Sequence, residues 1–348
     1  MIQNDHDKIS VSTIITAYNR IDFCFEAILS VLNQQDVKWN CEIIVIKNFY
    51  EKRIDNLISE NNVISIFKDN CSIGEMLREA IARSRGEIIC FLDDDDLFMP
   101  NKIEHVISIF KETNNLNYYH HSQEFRDIDL IPFMIQERSK SFYEKFVLQA
   151  CDVEEEFLNL RKKHITISSL FFNLSSIVIR KKIIADKLDL LSMIRTHPDD
   201  FMFISALAYN PESVLIHENL NLIIYRSHES LSNARSGIKG MRAVYQKDIE
   251  SSLVVLSLCK VNPFLQHIMN LRISYEKYIY SILNWEPKAM MAEFRTLTST
   301  GDRKLLIRRN VNFYFGTPIL YALFVLIGKL SSWPVINEIV NKIITKIV

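Results

Sequence analysis

The sequence predicts an α/β fold: a mostly parallel sheet flanked by helices, followed by a helical C-terminal extension. Three observations predict it. Short apolar runs alternate with helically spaced segments from residue 9 to 96. The apolar run 88–92 ends on four consecutive carboxylates, Asp93 to Asp96. From about residue 240 only helical spacing is left. Alternating strand and helix order implies parallel strands with helices on both faces. Ligands of such sheets bind outside the carboxyl ends of the strands.

The elements follow in order. Residues 11–16 predict a first strand. Residues 23–32 predict a helix with Phe23, Ala27, Ile28 and Val31 on one face. Residues 42–46 give a second strand, 53–60 a helix, 63–67 a short strand, 73–84 a third helix and 87–92 a fourth strand. After Pro100 the pattern is less regular. Residues 102–111 suit a helix and 116–121 a strand, and 122–163 read as loops and helices. Residues 175–180, SSIVIR, read as a strand. Residues 200–209 are helical and stop at Asn210-Pro211. Residues 220–226 give another strand.

Composition bounds the function. The 348 residues suggest two units, at roughly 150 residues per domain. The net charge of -1 gives no support to a nucleic-acid partner. With 7 glycines and neither GxGxxG nor a Walker loop, a Gly-rich phosphate cradle is not expected. Six cysteines form no CxxC pair, which suits buried thiols in a reducing, cytoplasmic setting. The polar N-terminus reads as no signal peptide.

The C-terminal third has another character. Residues 311–328 carry no charge, but Asn312, Gly316, Thr317 and Pro318 interrupt them. The piece after Thr317 is short against the roughly 17–25 residues of a membrane span. Residues 335–348 put Val335, Ile336, Ile339, Val340, Ile343, Ile344 and Ile347 on one helical face. Seven Lys or Arg face two acids over 301–348. A basic amphipathic tail predicts peripheral membrane contact through 311–348. The alternative is packing on the rest of the chain or on a sister subunit in a homo-oligomer.

Four adjacent carboxylates repel one another and resist desolvation. A divalent metal would neutralise them, and oxygen-rich sites suit Mg²⁺ or Mn²⁺. The segments VSTIITAYNR (11–20), CEIIVI (41–46) and RGEIICFLDDDDLFMPNKIE (85–104), in that order, resemble family 2 glycosyltransferases of the GT-A (Rossmann-like) fold. The resemblance covers roughly 9–235. It implies a catalytic domain over 1–235, with a nucleotide-sugar half (about 1–100), an acceptor half (about 101–235) and a helical region over 236–348.

What the resemblance implies is specific. A D-x-D motif maps onto Asp93-Asp94-Asp95 and holds Mn²⁺ or Mg²⁺ against the diphosphate of a nucleotide-sugar donor. Asp95 is expected as direct ligand, Asp93 on ribose or metal, and Asp94 at the donor. Thr16, Ala17, Tyr18, Asn19 and Arg20 form the turn that approaches base, ribose and phosphate. The second strand departs from the family pattern. Where relatives carry aspartate, this chain has Lys47-Asn48, which leaves Asn48 to meet the base. Arg78 either contacts the diphosphate or pairs with a neighbouring Glu. Asp199 and Asp200 correspond to the acidic pair of inverting relatives, with Asp200 the base for the acceptor hydroxyl of a glycan or lipid-linked acceptor. Arg226 and His228 fall where relatives place an Arg-x-His that closes on phosphate or metal. Two rivals stand: a nucleotidyltransferase, disfavoured because TAYNRID lacks glycine, and a non-catalytic sugar-nucleotide or glycan binding module, which Lys47 keeps open.

Overall fold

The computed structural model describes residues 10–34, 41–132, 144–163, 167–227 and 237–299. The first strand, β1 (Val11–Ala17), is buried along its whole length. That is what a central strand covered on both faces requires. In α1 (Ile21–Leu32) Cys24, Ala27, Ile28 and Val31 turn inward, the i, i+3, i+4, i+7 set of an amphipathic helix. There follow β2 (Cys41–Lys47), α2 (Lys52–Glu60), β3 (Ile64–Phe67), α3 (Ile73–Arg83) and β4 (Ile88–Asp93). β1 runs parallel to β2 on one side and to β4 on the other, and β2 runs parallel to β3. A capping box opens α3. Ser72 Oγ accepts the Glu75 N–H, and the Glu75 carboxylate accepts the Ser72 N–H.

Beyond β4 the sheet becomes mixed. The later elements are β5 (Leu97–Phe98), α4 (Lys102–Glu112), β6 (Leu116–Arg126), β7 (Lys145–Gln149), α5 (Val153–Lys162), β8 (Ile177–Arg180), α6 (Leu188–Ser192), α7 (Pro198–Leu207) and β9 (Val214–Arg226). Among the described residues the sheet has nine strands in the order β3-β2-β1-β4-β8-β6-β9-β5, with β7 on β9. β8 enters between β4 and β6 antiparallel to both. β6 and β9 pair in parallel. The parallel order expected from the sequence therefore holds over β1–β4. β6 and β9 run several residues beyond their predicted spans, and 122–163 contributes β7 and α5 rather than loops and helices alone. β5 and α6 are too short to leave a periodic signal.

In the first unit, Met1–Glu229 with Ser257–Asn262, a continuous apolar cluster runs from Val11 and Ile15 through Ile88 and Leu92 to Val178 and Ile223. The second, Ser230–Leu256 with Pro263–Val348, is helical among its described residues, within α8 (Gly237–Leu258), α9 (Pro263–Asn284) and α10 (Pro287–Ser299). It packs Tyr275, Ile279, Ile282, Leu283 and Leu297 together. His228 and the tail 311–348 lie outside the described residues. Among the described residues no helix is long and apolar enough to cross a membrane.

Candidate active site

The acid run begins on the last residue of β4. Thr16 and Asp93 are register partners at the carboxyl ends of β1 and β4. Thr16 Oγ1 donates to Asp93 Oδ1 at 3.2 Å. Asp94 points inward and is fully buried. It accepts the Tyr18 N–H at 3.2 Å and pairs with Arg20 at 2.7 Å. Arg20 pairs with Asp95 as well. Asp94 and Arg20 thus brace the turn after β1. Asp96, also buried, accepts Asn173 Nδ2 at 3.0 Å on one oxygen and the Arg226 N–H at 3.2 Å on the other.

Carboxylate oxygens of Asp93, Asp95 and Asp96 lie within 4.8 Å of one another. Burial, then the charge of Asp95, pushes the Asp93 carboxyl up to about 7. Burial, then Asp95 and Asp93, pushes Asp96 up to about 8. Asp94 rises to about 8 through burial, although Arg20 opposes it. Three oxygen donors converging with excess negative charge fit a hard divalent cation such as Mn²⁺ or Mg²⁺.

The acceptor-half pair sits at the start of α7. Pro198 occupies the first helical turn, followed by Asp199 and Asp200. That position stabilises anions by the helix dipole. Neither aspartate is the N-cap; His197 is, with left-handed backbone at φ 53°. One ligand atom each from His197, Asp199 and Asp200 lies within 4.8 Å of the others. Asp200 is buried and Asp199 half-buried. The charge of Asp199 reaches Asp93 and helps raise its carboxyl. Two segments over a hundred residues apart in sequence therefore lie within electrostatic reach of each other.

Other predicted residues are engaged inside the protein. Asn19, at φ 59°, and Asn48 clamp each other: the Asn19 N–H donates to Asn48 Oδ1 at 2.9 Å, and Asn48 Nδ2 to Asn19 Oδ1 at 2.7 Å. Ala17 is buried at the end of β1. Lys47 is buried; its ammonium donates to the Phe49 carbonyl at 2.7 Å and pairs with Asp55 at 2.8 Å. Arg78 stays on the surface of α3, against Glu79 at 3.5 Å. Arg226 is buried. It donates to the Asp95 carbonyl at 3.1 Å and the Ile128 carbonyl at 3.3 Å, pairs with Glu26, and lies over the Phe23 ring at 4.6 Å. Its guanidinium ties the acid loop to α1.

Sequence reasoning missed the support beneath the acids. Asn173, Ser175 and Lys102 all serve it; Lys102 lies within the segment 85–104 that carries the resemblance, but nothing in the sequence ties it to Asn173 and Ser175. The one available signal is the polar run Asn173-Leu174-Ser175-Ser176 just before a strand.

With this geometry in place, similarity to known proteins becomes informative. Residues 12–173 match the family described as Glycosyl transferase family 2. Over those residues, just under half of its length, the chain is similar to family 2 glycosyltransferases. A Haemophilus influenzae protein described as an uncharacterised glycosyltransferase is 25% identical over 284 residues, 78% of this chain and 89% of its own length. A Rickettsia typhi glycosyltransferase is 34% identical over 117 residues, 33% of this chain and 36% of its own length. The match to this second relative is thus confined to a domain-sized segment. Solved structures share the GT-A fold. TarS of S. aureus, residues 1–349 in complex with UDP-GlcNAc, superposes at TM-score 0.50 with 12% identity, covering 83% of this chain and 90% of that one. The mannosyltransferase PcManGT from Pyrobaculum calidifontis, in complex with GDP-Man and Mn²⁺, superposes at 0.50 with 10% identity, covering 95% and 83%.

Proposed function

We propose that the chain is an inverting, divalent-metal-dependent glycosyltransferase that moves a sugar from a nucleotide-diphosphate donor to an acceptor hydroxyl. One observation carries this: the acidic first turn of α7 is brought within electrostatic reach of the acid run at the end of β4. Donor activation and acceptor deprotonation need those two groups side by side. Asp93, Asp95 and Asp96 would hold Mn²⁺ or Mg²⁺. When bound, the ion offsets the charge that grows on the departing diphosphate. PcManGT, of the same fold, is bound to GDP-Man and Mn²⁺, which agrees with this assignment.

The remaining work falls to the chain. Thr16 and Tyr18, at the carboxyl end of β1, face base and ribose. Asp200 takes the proton of the acceptor hydroxyl as the new bond forms to the anomeric carbon. The bond from that carbon to the phosphate oxygen breaks, and the nucleoside diphosphate leaves with the electron pair. A single in-line displacement inverts configuration. The reaction belongs with glycan, polysaccharide or glycolipid assembly. We assign it to 1–235 and give 236–348 a helical accessory role, with the basic tail at the cytoplasmic membrane face. Deleting 311–348 should release the protein from sedimented membranes; unchanged sedimentation would make the tail a packing element. The binding-module alternative rested on Lys47, whose ammonium is satisfied by Asp55 and the Phe49 carbonyl.

The test is a thermal-shift screen with UDP, GDP, CDP and dTDP sugars, each with and without Mn²⁺ or Mg²⁺. A ligand that binds only the folded state raises its melting point. A shift for one nucleotide that vanishes without metal is expected. No shift across the panel would sink the donor assignment.

A further inference from the structure

The metal site stands on a buried polar support centred on Lys102. This lysine lies on the first turn of α4, six residues after Asp96, and none of its surface is exposed. Its ammonium donates to the Ser175 carbonyl at 2.6 Å and lies 3.9 Å from the centroid of the Phe98 ring. Ser175 is fully buried too. Its Oγ accepts the Asp93 N–H at 3.0 Å, and its own N–H donates to Asn173 Oδ1 at 2.6 Å. Asn173, at φ 76°, then donates from Nδ2 to Asp96 at 3.0 Å. One short turn thus receives a bond from Lys102 and passes bonds to Asp93 and Asp96. The same turn is held from a second side, where His120 Nε2 meets the Phe172 carbonyl at 3.0 Å.

Burying an ammonium is costly, and a carbonyl plus a ring repay it only in part. An apolar side chain of equal length would fill the slot at less cost. Burial pulls Lys102 down to about 7, and Cys90 and Asp96 oppose it only in part. Among the described residues the hydrogen-bond partner of the ammonium is the Ser175 carbonyl of the turn rather than a carboxylate.

We infer that Lys102 is a positioning residue of the metal site: it anchors the 173–176 turn, and the turn sets the orientation of Asp93 and Asp96. This rests on the proposed metal-dependent donor site. Two effects of opposite sign compete at Lys102. As a nearby positive charge it repels a metal ion. As an anchor it preserves ligand geometry. The inference states that geometry dominates.

The experiment measures Mn²⁺ affinity of the full chain by electron paramagnetic resonance of the free ion, without donor or turnover. Lys102→Met keeps most of the apolar stem and removes the ammonium. It should weaken Mn²⁺ binding by about tenfold or more, the usual scale for groups that orient metal ligands. Ser175→Ala removes the bond to the Asp93 N–H and leaves its own carbonyl for Lys102. It should weaken Mn²⁺ by a smaller factor, and the double variant should be no worse than Lys102→Met alone, because both act through one turn. Unchanged or tighter Mn²⁺ binding in a cooperatively melting Lys102→Met protein would overturn the inference. Should that variant not fold, unchanged affinity in Ser175→Ala would overturn it. Wild-type protein that binds no Mn²⁺ would instead overturn the metal site itself.

Discussion

Asp200 shows how a single side chain acquires a role from its surroundings. In sequence it is one of two acids after a proline, and either could serve only to favour the start of a helix. In the fold it occupies the first turn of α7, buried, beside a partner whose charge acts on Asp93. Asp200→Asn preserves shape and removes the proton acceptor. Transfer should fall by about 10²–10⁴, the range for losing a general base, while donor affinity and melting temperature stay near wild type. A steady-state assay with parallel thermal melts checks this; transfer within a few-fold of wild type would place the base elsewhere. Asn48, Lys47 and Arg226 teach the opposite lesson. Each has hydrogen-bonding capacity suited to a nucleotide, and each finds partners within the protein.

At the scale of the element, α3 depends on a close approach to the α6 segment. Gly74 opens α3, and its N–H donates to the Ile194 carbonyl at 3.1 Å. A Cβ at this position would run into the Leu191 and Ile194 carbonyl oxygens, both backbone atoms that cannot swing aside. Gly74→Ala should therefore destabilise the protein by about 1–3 kcal/mol, the usual cost of overpacking. Urea unfolding measures this directly, and a neutral result would show that the segment after α6 yields freely. β8 makes a second point about elements. Three of its four residues, Ile177, Val178 and Ile179, are buried and apolar, enough to read as a strand, but nothing in them states their direction. Direction follows from the segment before it, which must bring Asn173 under Asp96.

Across the whole molecule, buried titratable groups shape the response to pH. His120 and His217 meet through their Nδ1 atoms at 2.7 Å, and burial pushes them down to about 3 and about 4. In the unfolded chain a histidine gains its proton near 6.5. Between about 6.5 and 4 the unfolded state therefore binds more protons, and these histidines lose stability as pH falls. Their contribution is complete above 6.5. The buried aspartates act in the opposite sense. Their folded values near 7 to 8 mean stability present below about 4 and lost as pH rises. The histidine contribution is thus visible as a difference. Relative to wild type, His217→Gln should lose less stability, or gain more, as pH falls from 6.5 to 5, by up to about 1.4 kcal/mol per pH unit. Denaturation at several pH values reads it, and parallel curves for the two proteins would show that His217 is already charged in the fold.

The sequence by itself determined the parallel half of the sheet, the acid run at the end of β4 and the acidic start of α7. These are local: periodicity of apolar residues fixes strand and helix, and adjacent carboxylates announce themselves. It also indicated the family through the order of three short segments. Only the tertiary structure decided which acids converge. Asp94 turns away to hold Arg20 and Tyr18, while Asp96 joins Asp93 and Asp95. Successive residues leaving a strand point in different directions, and the turn geometry selects among them. The tertiary structure likewise decided that Lys102 and Ser175, 73 residues apart, share one bond beneath the site. A hydrogen bond across that separation has no period and no local propensity, so it exists only once the sheet has closed around it.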